Sequence, residues 1–153
     1  MKQIKKIVAA LDFSTYSQDI LEHSLSLAKG ISAQVIIVNV INRKSVDAAR
    51  QAFNAEHPNS FLPDKYIGDD KERRKRMLGD LLAECGGKET DTKIIVRYGI
   101  PFEEILTALD EEDGDLLVIG QKGRTNLPEF LFGTTAEKLF RHSPVPVFSI
   151  RKE

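Results

Sequence analysis

Leu116-Leu-Val-Ile-Gly-Gln-Lys-Gly123, then nine residues, then Gly133-Thr134-Thr135-Ala136, is the stretch from which the fold can be read. Leu116 to Ile119 is an uninterrupted apolar run, as expected of a strand buried on both faces. From Thr135 the apolar positions Ala136, Leu139 and Phe140 recur at helical spacing and predict a helix to His142 with those three side chains inward. A strand leading through a glycine-bearing loop into a helix is an α/β unit, and it is also a way to hold phosphate. Glycine lets the backbone approach an anion and take a positive φ. The helix N-terminus then supplies free N–H groups and a favourable dipole. The segment therefore predicts a site for a phosphorylated small molecule, with a nucleotide as the natural class.

The flanking sequence has the same alternation. Ile4–Leu11 reads as a buried strand that stops at Asp12-Phe-Ser14. Ile20, Leu21, Ser24, Leu27, Ala28 and Ile31 then mark a helix, with Ser14 or Ser17 able to cap it and Gly30 near its end. Gln34–Ile41, Lys93–Tyr98 and Val145–Ile150 read as further strands. A helix from Pro101 to about Glu111 starts with proline in its first turn, where the missing N–H costs nothing. Lys71–Cys85 reads as a helix with Met77, Leu78, Leu81 and Leu82 inward. Between them, about 42–70 is a long connection of mixed polarity, with a short helix expected over Ser45–Ala55.

Apolar strands alternating with helices predict a Rossmann-like open parallel sheet of five strands, with helices on both faces and right-handed crossovers. In such sheets ligands bind beyond the carboxyl ends of the strands, where the strand order reverses. Strand order 3-2-1-4-5 would bring Asp12 and the glycine loop into one crevice, whereas 2-1-3-4-5 would separate them. The coincidence of two polar strand ends favours the first.

Composition narrows the class. The 153 residues suit one domain over 1–153. With 22 Lys+Arg against 23 Asp+Glu, a formal net charge of −1 argues against a nucleic-acid binder. The single Cys85 fits a reducing compartment. No apolar run is long enough for a membrane span and no signal segment opens the chain, so a cytoplasmic protein is expected. The basic run Lys71-Glu-Arg-Arg-Lys-Arg76 reads as a solvated helix face. His23, His57 and His142 lack metal-ligand spacing, and Cys85 reads as an inert thiol. There is no Gly-x4-Gly-Lys-Ser/Thr loop, no Gly-x-Gly-x-x-Gly after the first strand and no Gly-x-Ser-x-Gly elbow. No base or nucleophile stands beside the loop in sequence, so no catalytic residue is assigned and ATP hydrolysis is expected to be slow at most.

Gly120-x-x-Gly123-x9-Gly133-Thr134, with the following Ala136-Glu-Lys-Leu-Phe-Arg-His-Ser-Pro-Val-Pro-Val147, resembles the universal stress protein family. The opening Ile7-Val-Ala-Ala-Leu-Asp12-Phe-Ser14 and Ala28-Lys29 resemble it too, so the likeness spans essentially the whole chain. The resemblance implies the 3-2-1-4-5 sheet, and its glycine motif is that of the ATP-binding branch. It implies ATP, or ADP or AMP, as ligand, with Mg2+ carried by the phosphates. By position, Ala10, Leu11 and Asp12 would lie along the nucleotide, with Asp12 facing its ribose and adenine end. Val40 would meet adenine through its backbone, and Ile119 and Gly120 would pass the ribose. Lys122, Gly123, Gly133, Thr134 and Thr135 would surround the phosphates. The residue chemistry agrees: an ionised carboxylate accepts from ribose hydroxyls, while threonines donate and Lys122 supplies charge. Two departures stand out: Gln121 replaces the family's usual Ser or Thr, and Lys122 its Arg or His. The resemblance also implies a homodimer, here through the edge strand Val145–Ile150.

Overall fold

A computed structural model describes residues 2–121 and 133–151. Its sheet has five strands, β1 (Lys6–Ala10), β2 (Gln34–Asn42), β3 (Thr92–Gly99), β4 (Leu116–Gly120) and β5 (Val147–Ile150), in the order β3-β2-β1-β4-β5. Every pairing is parallel. The chain builds outward from β1 to β3, then returns to the other side of β1 with β4. The order therefore reverses between β1 and β4, the arrangement favoured above.

Alternation along each strand divides the core in two. Ile7, Ala9, Val35, Ile37 and Val118 face a layer containing Ile20, Leu21, Leu25 and Leu78. These four come from α1 (Ser17–Ile31) and α3 (Pro63–Glu84). Val8, Ile36, Val38, Leu117 and Ile119 face Ile105, Leu109, Ala136 and Leu139, from α4 (Pro101–Glu111) and α5 (Thr134–His142). Burial on both faces explains why the strands read as continuous apolar runs rather than as alternations.

Three local expectations are corrected. The 42–70 stretch is largely helical: α2 covers Arg43–Glu56, and α3 begins at Pro63 rather than at Lys71. Asn42 caps α2 by accepting from the Lys44 N–H at 3.0 Å, and Pro63 occupies the first turn of α3. The N-cap position of α1 is Tyr16, without a side-chain bond. Ser14 instead accepts from the Tyr16 N–H, and Ser17 is buried. Ile31, Met77 and Phe140 are 37%, 40% and 44% exposed rather than inward. Met77 and Phe140 each adjoin a fully buried leucine, Leu78 and Leu139, and the 100° step between helix neighbours turns them off the packed stripe. Among the described residues no helix is long and apolar enough to cross a membrane.

Candidate functional site

Beyond the carboxyl ends of β1 and β4 lies a cleft of ≈ 300 Å³. Ala10 at the end of β1 lines it with Leu11 and Asp12 just beyond, Val40 from β2, Ile119 and Gly120 from β4, and Gly133, Thr134 and Thr135 from the start of α5. Lys122 and Gly123, also expected at the site, lie outside the described residues. The remaining candidates, drawn from four separate elements, share this one cavity.

The strand register explains why backbone groups face it. In a parallel ladder both the N–H and C=O of a residue point to the same neighbour, and the next residue points to the other. The Gln34 N–H donates to the Lys5 carbonyl, and the Leu11 N–H donates to the Val38 carbonyl at 2.9 Å. Even-numbered residues of β2 therefore face β1, and Val35, donating to the Asp91 carbonyl, faces the β3 side. Val40 is the next even residue, but β1 has ended at Ala10. Its ladder partner would be the Leu11 carbonyl. That carbonyl instead accepts from Asn39 Nδ2 at 2.7 Å. The N–H and C=O of Val40 are thus aimed at the space that β1 vacates.

Asp12 begins the turn into α1. Its Oδ1 accepts from the Ser14 N–H at 2.9 Å, a local bond typical of Asp in turns. Phe13 follows with φ 60, a conformation that a bulky side chain seldom adopts. On the opposite wall, the Gln121 N–H donates to the Ile150 carbonyl and the Gly133 N–H donates to the Gln121 carbonyl, both at 3.0 Å. The end of β4 and the start of α5 are thereby tied together. Gly133 is the N-cap of α5 at φ −65 and ψ 156, so the positive φ expected of a phosphate-loop glycine is absent at this position. An N-cap takes extended backbone, which Gly133 adopts. The leading N–H groups of α5 have no partners within the helix and open on the cleft.

Two residues were missed. Arg74 was read as part of a solvated face, yet it lines the cleft with its side chain only 14% exposed. Its Nε donates to Asp70 Oδ2 and its Nη1 to Asn39 Oδ1, each at 2.9 Å. Its guanidinium carbon lies 5.7 Å from the Phe13 ring centroid. Asn39 is 1% exposed and bridges Arg74 to the Leu11 carbonyl. Signals for both were available. Arg74, Leu78, Leu81 and Cys85 recur at i, i+4, i+7 and i+11, so the period that buries Leu78 also turns Arg74 inward. A lone Asn inside Val35–Ile41 implies a buried hydrogen-bonding task.

Among the described lining residues Asp12 is the sole carboxylate, and there is no His or Cys. Among the described residues no cluster of His, Cys, Asp or Glu could hold a metal ion. Cys85 is half-buried, and burial, followed by Glu22 and Glu84, pushes its thiol pKa up. The shift disfavours the thiolate, which is the reactive form of cysteine. The described cleft offers backbone donors and an acceptor, hydroxyls, one carboxylate and one guanidinium around apolar walls.

Comparison with known proteins gives a consistent picture. A model of the universal stress protein family matches residues 3–151. Universal stress protein MJ0577 of Methanocaldococcus jannaschii is 27% identical over 160 residues, covering 97% of this chain and 96% of its own. The solved structure of MJ0577 superposes with a TM-score of 0.81 at 24% identity, covering 99% of both chains. A universal stress protein solved in complex with cAMP gives a TM-score of 0.63 at 19% identity, covering 99% of this chain and 100% of that one. One from Archaeoglobus fulgidus, in complex with dAMP, gives 0.63 at 16%, covering 98% and 99%.

Proposed function

Because this chain belongs to the universal stress protein family, we propose that it binds an adenine nucleotide, ATP or its ADP and AMP forms, in the β1/β4 cleft, and acts as a ligand-responsive stress module. The observation that carries this reading is Val40, whose ladder-orphaned N–H and C=O offer a donor and an acceptor side by side at the strand-order reversal. An adenine edge presents the complement, a ring nitrogen acceptor beside an amino donor. Asp12 accepts from the ribose hydroxyls. The first turn of α5 and the hydroxyls of Thr134 and Thr135 receive phosphate, with Lys122 and Gly123 completing that end. The ≈ 300 Å³ cleft is at the small end of ligand sites. Mg2+ enters, if at all, on the phosphates. The structures solved with cAMP and dAMP support the ligand class.

Calorimetric titration of nucleotide-stripped protein with ATP, ADP and AMP, with and without Mg2+, tests the reading. Saturable binding that Gly133→Val abolishes supports it, and absence of binding for all three refutes it. Phosphate release above the uncatalysed rate would instead favour a weak hydrolase, for which Asp12 is the described carboxylate in reach.

Self-association through Val145–Ile150 is part of the proposal. β5 is an edge strand, and its Phe148 is 43% exposed with the His23 ring 6.5 Å away. Sedimentation at micromolar concentration should show a dimer that Phe148→Lys dissociates; a monomeric wild type would remove this part.

A further inference from the structure

Arg74 is held more firmly than an ion pair requires. Asp70 Oδ2 takes its Nε, the buried Asn39 takes its Nη1, and the Phe13 ring lies 5.7 Å from its guanidinium carbon. Phe13 reaches that position from a left-handed backbone conformation, φ 60, which is unfavourable for a non-glycine residue. These contacts bring the guanidinium to the lip of the cleft, beside the backbone group that would read a base. Nη1 is 3.5 Å from the Val40 carbonyl, at the outer limit of hydrogen bonding and easily exchanged. Nη2 has no hydrogen-bond partner among the described residues. A cationic pair of N–H groups is therefore available next to Val40.

We propose that Arg74 is a base-reading residue that opens the cleft to 6-oxopurine nucleotides, those of guanine and hypoxanthine, as well as to adenine ones. The proposal rests on the nucleotide reading above and names which bases that site admits. With Val40 alone, the acceptor–donor edge of adenine is matched. The 6-amino group of adenine is a donor, so it keeps the Val40 carbonyl as its acceptor and gains nothing from the guanidinium beside it. Guanine and hypoxanthine carry N1–H and a keto oxygen where adenine carries an acceptor and a donor, so that edge opposes Val40; turned to present N7 and the keto oxygen, they meet the guanidinium, and arginine binds that pair bidentately, its commonest specific base contact. Lysine in this place would keep the charge but lose the fork.

The test is competition binding with ATP, GTP, ITP and 7-deaza-GTP on the wild type, Arg74→Met and Arg74→Lys, with thermal unfolding to verify that each variant folds. The wild type should bind GTP and ITP within about tenfold of ATP, and 7-deaza-GTP several-fold more weakly than GTP. Arg74→Met should lose about tenfold or more for GTP and ITP, with ATP changed by less than about threefold. Arg74→Lys should give an intermediate loss. If a variant does not fold, the 7-deaza comparison on the wild type still decides. Binding of ATP with rejection of GTP and ITP overturns this inference alone, as does equal loss for every base in a folded Arg74→Met. Failure of the wild type to bind any of the four overturns the nucleotide reading with it.

Discussion

Replacing Asn39 with leucine keeps a side chain of similar size at a site 1% exposed and removes both of its hydrogen bonds. The Leu11 carbonyl loses its 2.7 Å donor and Arg74 loses its 2.9 Å acceptor. A buried polar group left without a partner costs about 1–3 kcal/mol. Arg74 retains Asp70 Oδ2 at 2.9 Å, so its share lies at the low end and the sum is about 3 kcal/mol. In a domain of this size each kcal/mol shifts Tm by about 2–4 °C, so Asn39→Leu should melt about 6–12 °C lower. A second consequence comes from the register. With its carbonyl released, Leu11 becomes available to the Val40 N–H, its regular ladder partner; as that bond forms, the stability loss falls from about 3 kcal/mol toward the roughly 1 kcal/mol of the Arg74 share, and the donor proposed to read the base is withdrawn into the sheet. Nucleotide affinity should then fall by about tenfold, the worth of one such bond. Asn39→Asp isolates the two bonds. It keeps an acceptor for Arg74 but sets a carboxylate against the Leu11 carbonyl, so it should also be destabilised at neutral pH. Thermal denaturation with calorimetric titration reads both effects. An Asn39→Asp protein as stable as the wild type would refute the role assigned to the Leu11 bond.

Three further outcomes are expected. Asp12→Ala removes both the carboxylate proposed to receive ribose hydroxyls and the 2.9 Å bond to the Ser14 N–H; titration should show nucleotide binding weakened by about tenfold or more, at roughly 1.5 kcal/mol for a hydrogen bond to a charged group. At the other end of the sheet Asp115 accepts from Lys2 Nζ and from the Lys5 and Lys6 N–H groups, and these bonds, Lys2 first, hold its carboxyl below the usual carboxylate range. A depressed folded pKa gives stability that is present above the unfolded value of about 3.9 and is lost as pH falls through the folded one; chemical denaturation should find Asp115→Asn less stable by about 1–2 kcal/mol at pH 7, with the gap closing below about pH 4. Ser32, exposed at the C-cap of α1, sits at φ 56 and ψ 44 with its N–H on the Ala28 carbonyl, so Ser32→Gly should relieve the left-handed penalty of about 1 kcal/mol and raise Tm by about 2–4 °C.

Much of this molecule is legible from local sequence because its determinants are local. The runs Val35-Ile-Ile-Val38 and Leu116-Leu-Val-Ile119 can only be strands buried on both faces. Pro101 fixes the start of α4 by removing an N–H that the first turn does not use. Helix period fails where one residue's step decides burial, as at Met77 and Phe140, because an apolar side chain next to the stripe looks the same in sequence as one on it. The start of α3 at Pro63, inside what reads as an irregular connection, escaped for a similar reason. Its first two turns are polar apart from Pro63, Tyr66 and Ile67, and with only Ile67 packed on the core no apolar period marks them.

The sequence by itself determined the alternating α/β class and pointed to several described residues of the cleft, since Asp12 at a strand end and Gly133 with two threonines at a helix start depend only on near neighbours. Tertiary structure decided the rest. The reversal of strand order between β1 and β4 is a matter of which strands pair, and pairing is a long-range choice. The orientation of Val40 depends on a register with β1 and on where β1 stops, neither of which is written near Val40. Arg74 becomes part of the cleft only because α3 crosses the end of β2, where the buried Asn39 can hold it. A side chain acquires such a role from the field and hydrogen-bond partners that folding brings to it, and Asn39, which holds Arg74 at the cleft, lies 35 residues away in the chain.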